Sequence, residues 1–143
     1  MEGVCLGDLG DLNHDEGRFD DARTCYEAAL VIHREVRDRR SEGIAHVRLG
    51  KLSLQGGVIN EARQELAAGE AIIREVGDPI ELGKLLCARG ELESGTGEEA
   101  AARTTLGEVE ALANRLEAGP DSELGRKLAK LRLRVQSGTA TTH

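Results

Sequence analysis

Apolar residues recur along this chain at intervals of three and four, interrupted at regular places by glycine and short acidic turns. That spacing predicts amphipathic helices rather than strands. Val4, Leu6, Leu9 and Leu12 mark a first helix. Asp15-Glu16-Gly17-Arg18 follows as a turn, where glycine can take the positive φ that ends a helix. Ala22, Tyr26, Ala29, Leu30, Ile32, His33 and Val36 then outline one face of a second helix, with Asp20 as its expected N-cap. The pair reads as a hairpin of an A helix and a B helix.

The hairpin returns every forty residues without slippage. Gly3, Gly43 and Gly83 align, as do Gly10, Gly50 and Gly90, then Leu12, Leu52 and Leu92, then Gly17, Gly57 and Gly97. Ala22-Arg23, Ala62-Arg63 and Ala102-Arg103 follow, with Tyr26, Leu66 and Leu106 one turn later. Repeats near 1–40, 41–80 and 81–120 therefore precede a last helix over 121–136. Ser41 is the expected cap of the second A helix. Asp78-Pro79 offers a cap with proline at the first helical position, and Gly119-Pro120-Asp121 opens the last helix. Seven helices are predicted, near 2–15, 20–38, 42–55, 60–76, 79–95, 98–117 and 121–136, with 137–143 as a short polar, disordered tail.

Within each hairpin the pattern resembles the tetratricopeptide repeat: a bulky residue, Leu-Gly, a glycine at the turn, an aromatic just after it, and two alanines in helix B. Block one has Leu6, Leu9-Gly10, Gly17, Phe19, Ala22, Tyr26 and Ala29. Block two keeps Leu49-Gly50, Gly57, Ala62 and Leu66 but has His46 and Gly69 at two of these places. Block three keeps Leu86, Gly90, Gly97, Ala102 and Leu106, with Arg89 replacing leucine and Glu99 the aromatic. The family's usual period is about 34 residues, so forty implies longer B helices. The small residues have a mechanical role, since Gly10 and Ala22 fall where the two helices of a hairpin cross.

The resemblance implies an all-α fold: an α-solenoid of three tetratricopeptide-like hairpins plus a C-terminal capping helix, as a right-handed superhelix within a single domain, 1–136. It also implies a protein or peptide partner on the concave face lined by the A helices. Counted from the aligned glycines, that face holds Asp11, His14, Ile44, Val47, Lys51, Gln55, Lys84, Cys87, Glu91 and Lys127. The carboxylate clamp of some members is not carried over, because Asp11, Lys51 and Glu91 occupy its places. Repeats of this longer kind resemble those beside bacterial signalling ATPases, kinases and transcriptional regulators, so the expected role is an interaction scaffold in such a regulator. The alternative is a self-assembly module, a homodimer through exposed array ends.

Composition narrows the choice. The net charge of −7 argues against non-specific nucleic-acid binding, although 121–143 alone is +3. On the last predicted helix Leu124, Leu128, Leu131 and Val135 form one stripe, with Arg126, Lys127, Lys130 and Arg134 opposite, as expected of a cap with a solvated outer face. Phe19 and Tyr26 are the only aromatics, too few for a base-stacking platform. The longest apolar run, Ala28 to Ile32, is far short of a membrane span. Cys5, Cys25 and Cys87 form no Cys-x-x-Cys pair and read as free thiols of a cytoplasmic protein.

No catalytic or metal site is predicted, and no cofactor. Asp15-Glu16, Asp20-Asp21 and Glu98-Glu99 lie at turns and helix starts, where acids favour the helix dipole. His14, His33, His46 and His143 form no i, i+4 pair, and His33 and His46 are expected between hairpins. The glycines fall on repeat positions and lack the Gly-Lys-Ser/Thr ending of a phosphate loop. The chain is read as no enzyme.

Overall fold

A computed structural model describes the backbone of residues 2–140 and the side chains of residues 6–137. The expectations placed on the side chains of Val4 and Cys5, and on Thr141 to His143, fall outside the described residues. Seven α-helices and no strand make up the described backbone: α1 (Glu2–Asp15), α2 (Phe19–Glu35), α3 (Arg39–Gln55), α4 (Ile59–Val76), α5 (Pro79–Gly95), α6 (Glu99–Arg115) and α7 (Glu123–Ala140). The chain divides into two compact units, Met1–Gly77 and Asp78–His143.

The first unit is two hairpins, α1 on α2 and α3 on α4, with α2 also packed on α3. Ala22, Tyr26 and Leu30 of α2 meet Ala45, Leu49 and Leu52 of α3 in its core. Helices approach closely where the repeat supplies small residues. A Cβ at Gly10 would sit 2.5 Å from the Tyr26 ring, and one at Gly50 would sit 2.8 Å from Leu66. Gly69, inside α4 where the repeat's second alanine is expected, is buried against the backbone of α3, where a Cβ would lie 3.2 Å from the Gly43 carbonyl oxygen.

The second unit is the hairpin of α5 and α6 closed by α7, which packs on both. Leu124, Leu128, Leu131 and Val135 are buried, as the apolar stripe requires. Leu124 lies over Gly83 and Leu131 over Gly90, so the repeat's small residues here make room for the closing helix. The helix runs on through Ser137 to Ala140, where a disordered tail was expected.

The turns recur at forty-residue intervals. Gly17, Gly57 and Gly97 have φ of 80°, 76° and 80°. In each, the amide of the next residue donates to a carbonyl five residues earlier: Arg18 to Asn13, Val58 to Ser53 and Glu98 to Glu93, at 2.8–2.9 Å. Those residues, not Asp20, start the B helices, and none makes a side-chain cap. Asp20 instead sits in the first turn of α2.

The A helices α3 and α5 do carry side-chain caps. Asp78 accepts from the amides of Ile80 and Glu81, with Pro79 at the helix start, as expected. The cap of α3 is Asp38 rather than Ser41. Asp38 accepts from the Ser41 amide at 3.1 Å and from its hydroxyl at 2.7 Å. These two bonds hold the Asp38 carboxyl below the usual aspartate range.

Candidate functional site

The outward edges of the A helices carry most of the residues expected to meet a partner, and in the first unit the structure draws several of them together. Asp11 of α1 accepts from the Tyr26 hydroxyl at 2.6 Å and from Arg48 of α3 at 3.0 Å. The Arg48 guanidinium also lies 6.0 Å from the Tyr26 ring centroid, within reach of its π face. Arg48 has room there because Gly7 has no side chain, and a Cβ on Gly7 would come within 2.8 Å of it. One turn further along, His14 of α1 is hydrogen-bonded to Gln55 of α3. Its ring sits 5.6 Å from that of Phe19.

Three helices thus meet at Asp11, Tyr26 and Arg48. Burial is the largest influence on the Tyr26 phenol, followed by the hydrogen bond to Asp11 and that carboxylate's charge. All three push its pKa well above the ordinary phenol value, and Arg48 opposes them without prevailing. Tyr26 therefore stays protonated and acts as a fixed donor to Asp11. Arg48 and Tyr26 were absent from the expected site. In the repeat register Arg48 stands against Asp8 and Ala88, so no shared signal marks it.

The other expected residues of α3 separate into two groups. Ile44 and Lys51 are half-buried and Gln55 is exposed. Val47 is only 5% exposed and faces Gly69 of α4. It belongs to the crossing of α3 and α4 rather than to an open wall, because the missing side chain at Gly69 draws α4 onto it.

In the second unit Cys87 is likewise core, at 4% exposed. Lys84 is paired with Glu81 of its own helix at 3.4 Å and with Glu123 of α7 at 3.2 Å. Burial works against its charge, but the two carboxylates outweigh that and hold its pKa above the usual lysine range. Glu91 faces Lys130 and Arg134 of α7 at 3.7 and 3.8 Å. The Ser94 hydroxyl donates to the Arg134 carbonyl. Lys127 is half-buried on α7. Lys84 and Glu91, expected to face a partner, thus tie α5 to its closing helix.

Two further polar clusters lie at hairpin crossings. His46, buried as expected, bonds Glu65 of α4 at 2.7 Å and lies 3.4 Å from Arg34 of α2. In the third hairpin Arg89 reaches the Thr105 hydroxyl at 3.1 Å and Glu108 at 3.0 Å, while Thr105 donates to Glu93 at 2.6 Å. The substitution of arginine for the repeat's leucine is thereby matched by Glu93, Thr105 and Glu108, so it replaces apolar packing with a polar network. Cys25 and Cys87 are buried thiols outside any disulfide.

Among the described residues no group of three histidine, cysteine or acidic side chains is placed to hold a metal ion. No helix among them is long and apolar enough to cross a membrane. No protein-family model matches the sequence, and no curated protein matches it.

Proposed function

We propose that the chain is a tetratricopeptide-like adapter that holds a protein or peptide along the polar edge of its A helices, without catalysis and without a cofactor. The carrying observation is the pair of seams between α1 and α3, Asp11 with Arg48 and His14 with Gln55, both part-exposed on one side of the first unit. Exposed pairs of this kind contribute about 0–1 kcal/mol each in water. A guest carboxylate, guanidinium or backbone amide can therefore replace a protein partner at small cost, while the core behind the pairs stays closed. Lys51, half-buried on the same helix as Arg48 and Gln55, supplies a further cation at that edge.

The reading includes the repeat itself, three A–B hairpins and a closing helix, supported by the recurrence of the turn geometry at forty-residue intervals. It also includes a cytoplasmic setting within a bacterial regulator, which rests on the resemblance of the long repeat. The acidic balance favours a protein partner over nucleic acid.

A photo-crosslinking residue at Gln55, with Ala67 on the exposed side of α4 as control, tests the proposal in extract. Adducts are expected from Gln55 and not from Ala67, and Lys51→Glu should reduce them. Adducts that are equal at both positions, or unchanged by the Lys51 charge reversal, overturn the assignment of this edge.

A further inference from the structure

Two surface patches, one in each unit, carry exposed leucines in opposite electrostatic surroundings. On α1, Leu9 is 46% and Leu12 is 52% exposed, although their counterparts Leu49 and Leu52 are buried against Tyr26 and Leu30. Helical spacing puts Asp8, Asp15 and Glu16 on the same outward face, and all three are exposed. Of these acids, Glu16 is met by Arg18 at 3.0 Å and Asp15 lies 3.9 Å from the His14 ring.

On α7, the face opposite the buried stripe presents Arg126, Ala129, Lys130 and Leu133, with Leu133 65% exposed. Arg126 is held by a neutral group, the Asp121 carbonyl. Lys130 and Arg134 share one carboxylate, Glu91. The face therefore keeps a positive excess around its leucine.

We propose that the chain associates head to tail with a second copy of itself, the acid-rimmed Leu9 and Leu12 of one copy resting on the base-rimmed Leu133 of the next. Pairing either patch with its own kind would set acids against acids or bases against bases, whereas pairing the two joins opposite charges around apolar centres. The contact is heterologous, so it closes into a ring or runs on as an open chain. Two helix faces bury less than the roughly 1,200 Å² of a standard interface. The association is accordingly weak, appearing at high micromolar concentration and fading with salt as the charges are screened over about 10 Å or less. It is centred on Leu9 and Leu12 rather than on Asp11 and His14, so its failure would leave the adapter reading untouched.

Sedimentation velocity of the full chain over a concentration series, at low and high salt, reads the association directly. Leu12→Arg blocks the head and Leu133→Asn blocks the tail. Both positions are exposed, and circular dichroism checks that each variant is folded. Each variant alone should associate at least about tenfold more weakly than the parent chain, the effect of losing a central contact residue. Mixed together, they should form a complex that stops at two chains, because one supplies the free tail and the other the free head. A parent chain that stays monomeric at every concentration overturns the proposal. So does association lost in one variant and retained in the other, which indicates a symmetric contact, or a mixture that forms no heterodimer.

Discussion

Raising the pH singles out one group in this chain. Tyr26 is the only tyrosine, and there is no tryptophan, so the phenolate absorbance band reports Tyr26 alone. The side chain is 3% exposed, and its hydroxyl donates to Asp11 at 2.6 Å. Ionisation in place would set a buried phenolate against a carboxylate, and burial together with that bond raises the folded-state pKa above the unfolded value of about 10. An acid whose pKa is higher when folded lends stability that is complete below the unfolded pKa and drains as pH climbs past it. The loss is about 1.4 kcal/mol for each pH unit above 10, hence about 2 kcal/mol near pH 11.5. In a parallel titration by absorbance and far-ultraviolet circular dichroism, the phenolate band should appear together with helix loss rather than ahead of it. Tyr26→Phe should cost about 1 kcal/mol at neutral pH, through the donor lost to Asp11. It should also remove this share of the alkaline decline, separating it from lysine deprotonation. A phenolate that titrates near 10 while the helices persist would show that Tyr26 is not sealed at the meeting of α1, α2 and α3.

Two glycine-to-alanine changes inside helices should move stability in opposite directions. At Gly107 an added Cβ meets nothing within 4 Å, so Gly107→Ala should stabilise the second unit by about 1 kcal/mol. At Gly125 it would collide with the Gly119 carbonyl oxygen, which cannot yield without moving the turn before α7, so Gly125→Ala should cost about 1–3 kcal/mol. Urea unfolding of both variants checks the contrast, and equal effects would contradict the close docking of the start of α7. Arg89→Leu restores the repeat's leucine yet should destabilise by about 1–3 kcal/mol, because Glu93 and Glu108 lose their cation. Adding Glu93→Ser, the residue type of block two, should recover part of that loss in a double-mutant cycle.

Most of the helical framework was legible because a repeat states each packing rule three times. Gly17, Gly57 and Gly97 announce their left-handed turns, and Gly10 and Gly50 announce close crossings, since no other residue satisfies those geometries as cheaply. Where the signal was borne by ordinary residues it was missed. α2 ends at Glu35, earlier than the expected 38, because Arg37 takes the left-handed conformation that Gly77 takes one repeat later. Arginine carries no mark of that role. Glu117 does the same after α6. Ser41 looked like a cap because it stands before the apolar run, but Asp38, three residues earlier, has the stronger acceptor and uses Ser41 as a donor.

The candidate site was less legible than the fold for a related reason. Periodicity reports what the blocks share, whereas each seam between successive A helices is made by residues that differ between blocks. Asp11 stands in register with Lys51 and Glu91, and Arg48 with Asp8 and Ala88. The pair Asp11–Arg48 therefore exists between α1 and α3 and has no copy elsewhere in the register. Between α5 and α7 the joining falls instead to Lys84 with Glu123 and to Glu91 with Lys130 and Arg134. One common backbone scaffold thus carries a different charge arrangement at each seam. In the proposed adapter role, each unit would therefore offer a guest its own pattern of charges rather than a copy of the other's.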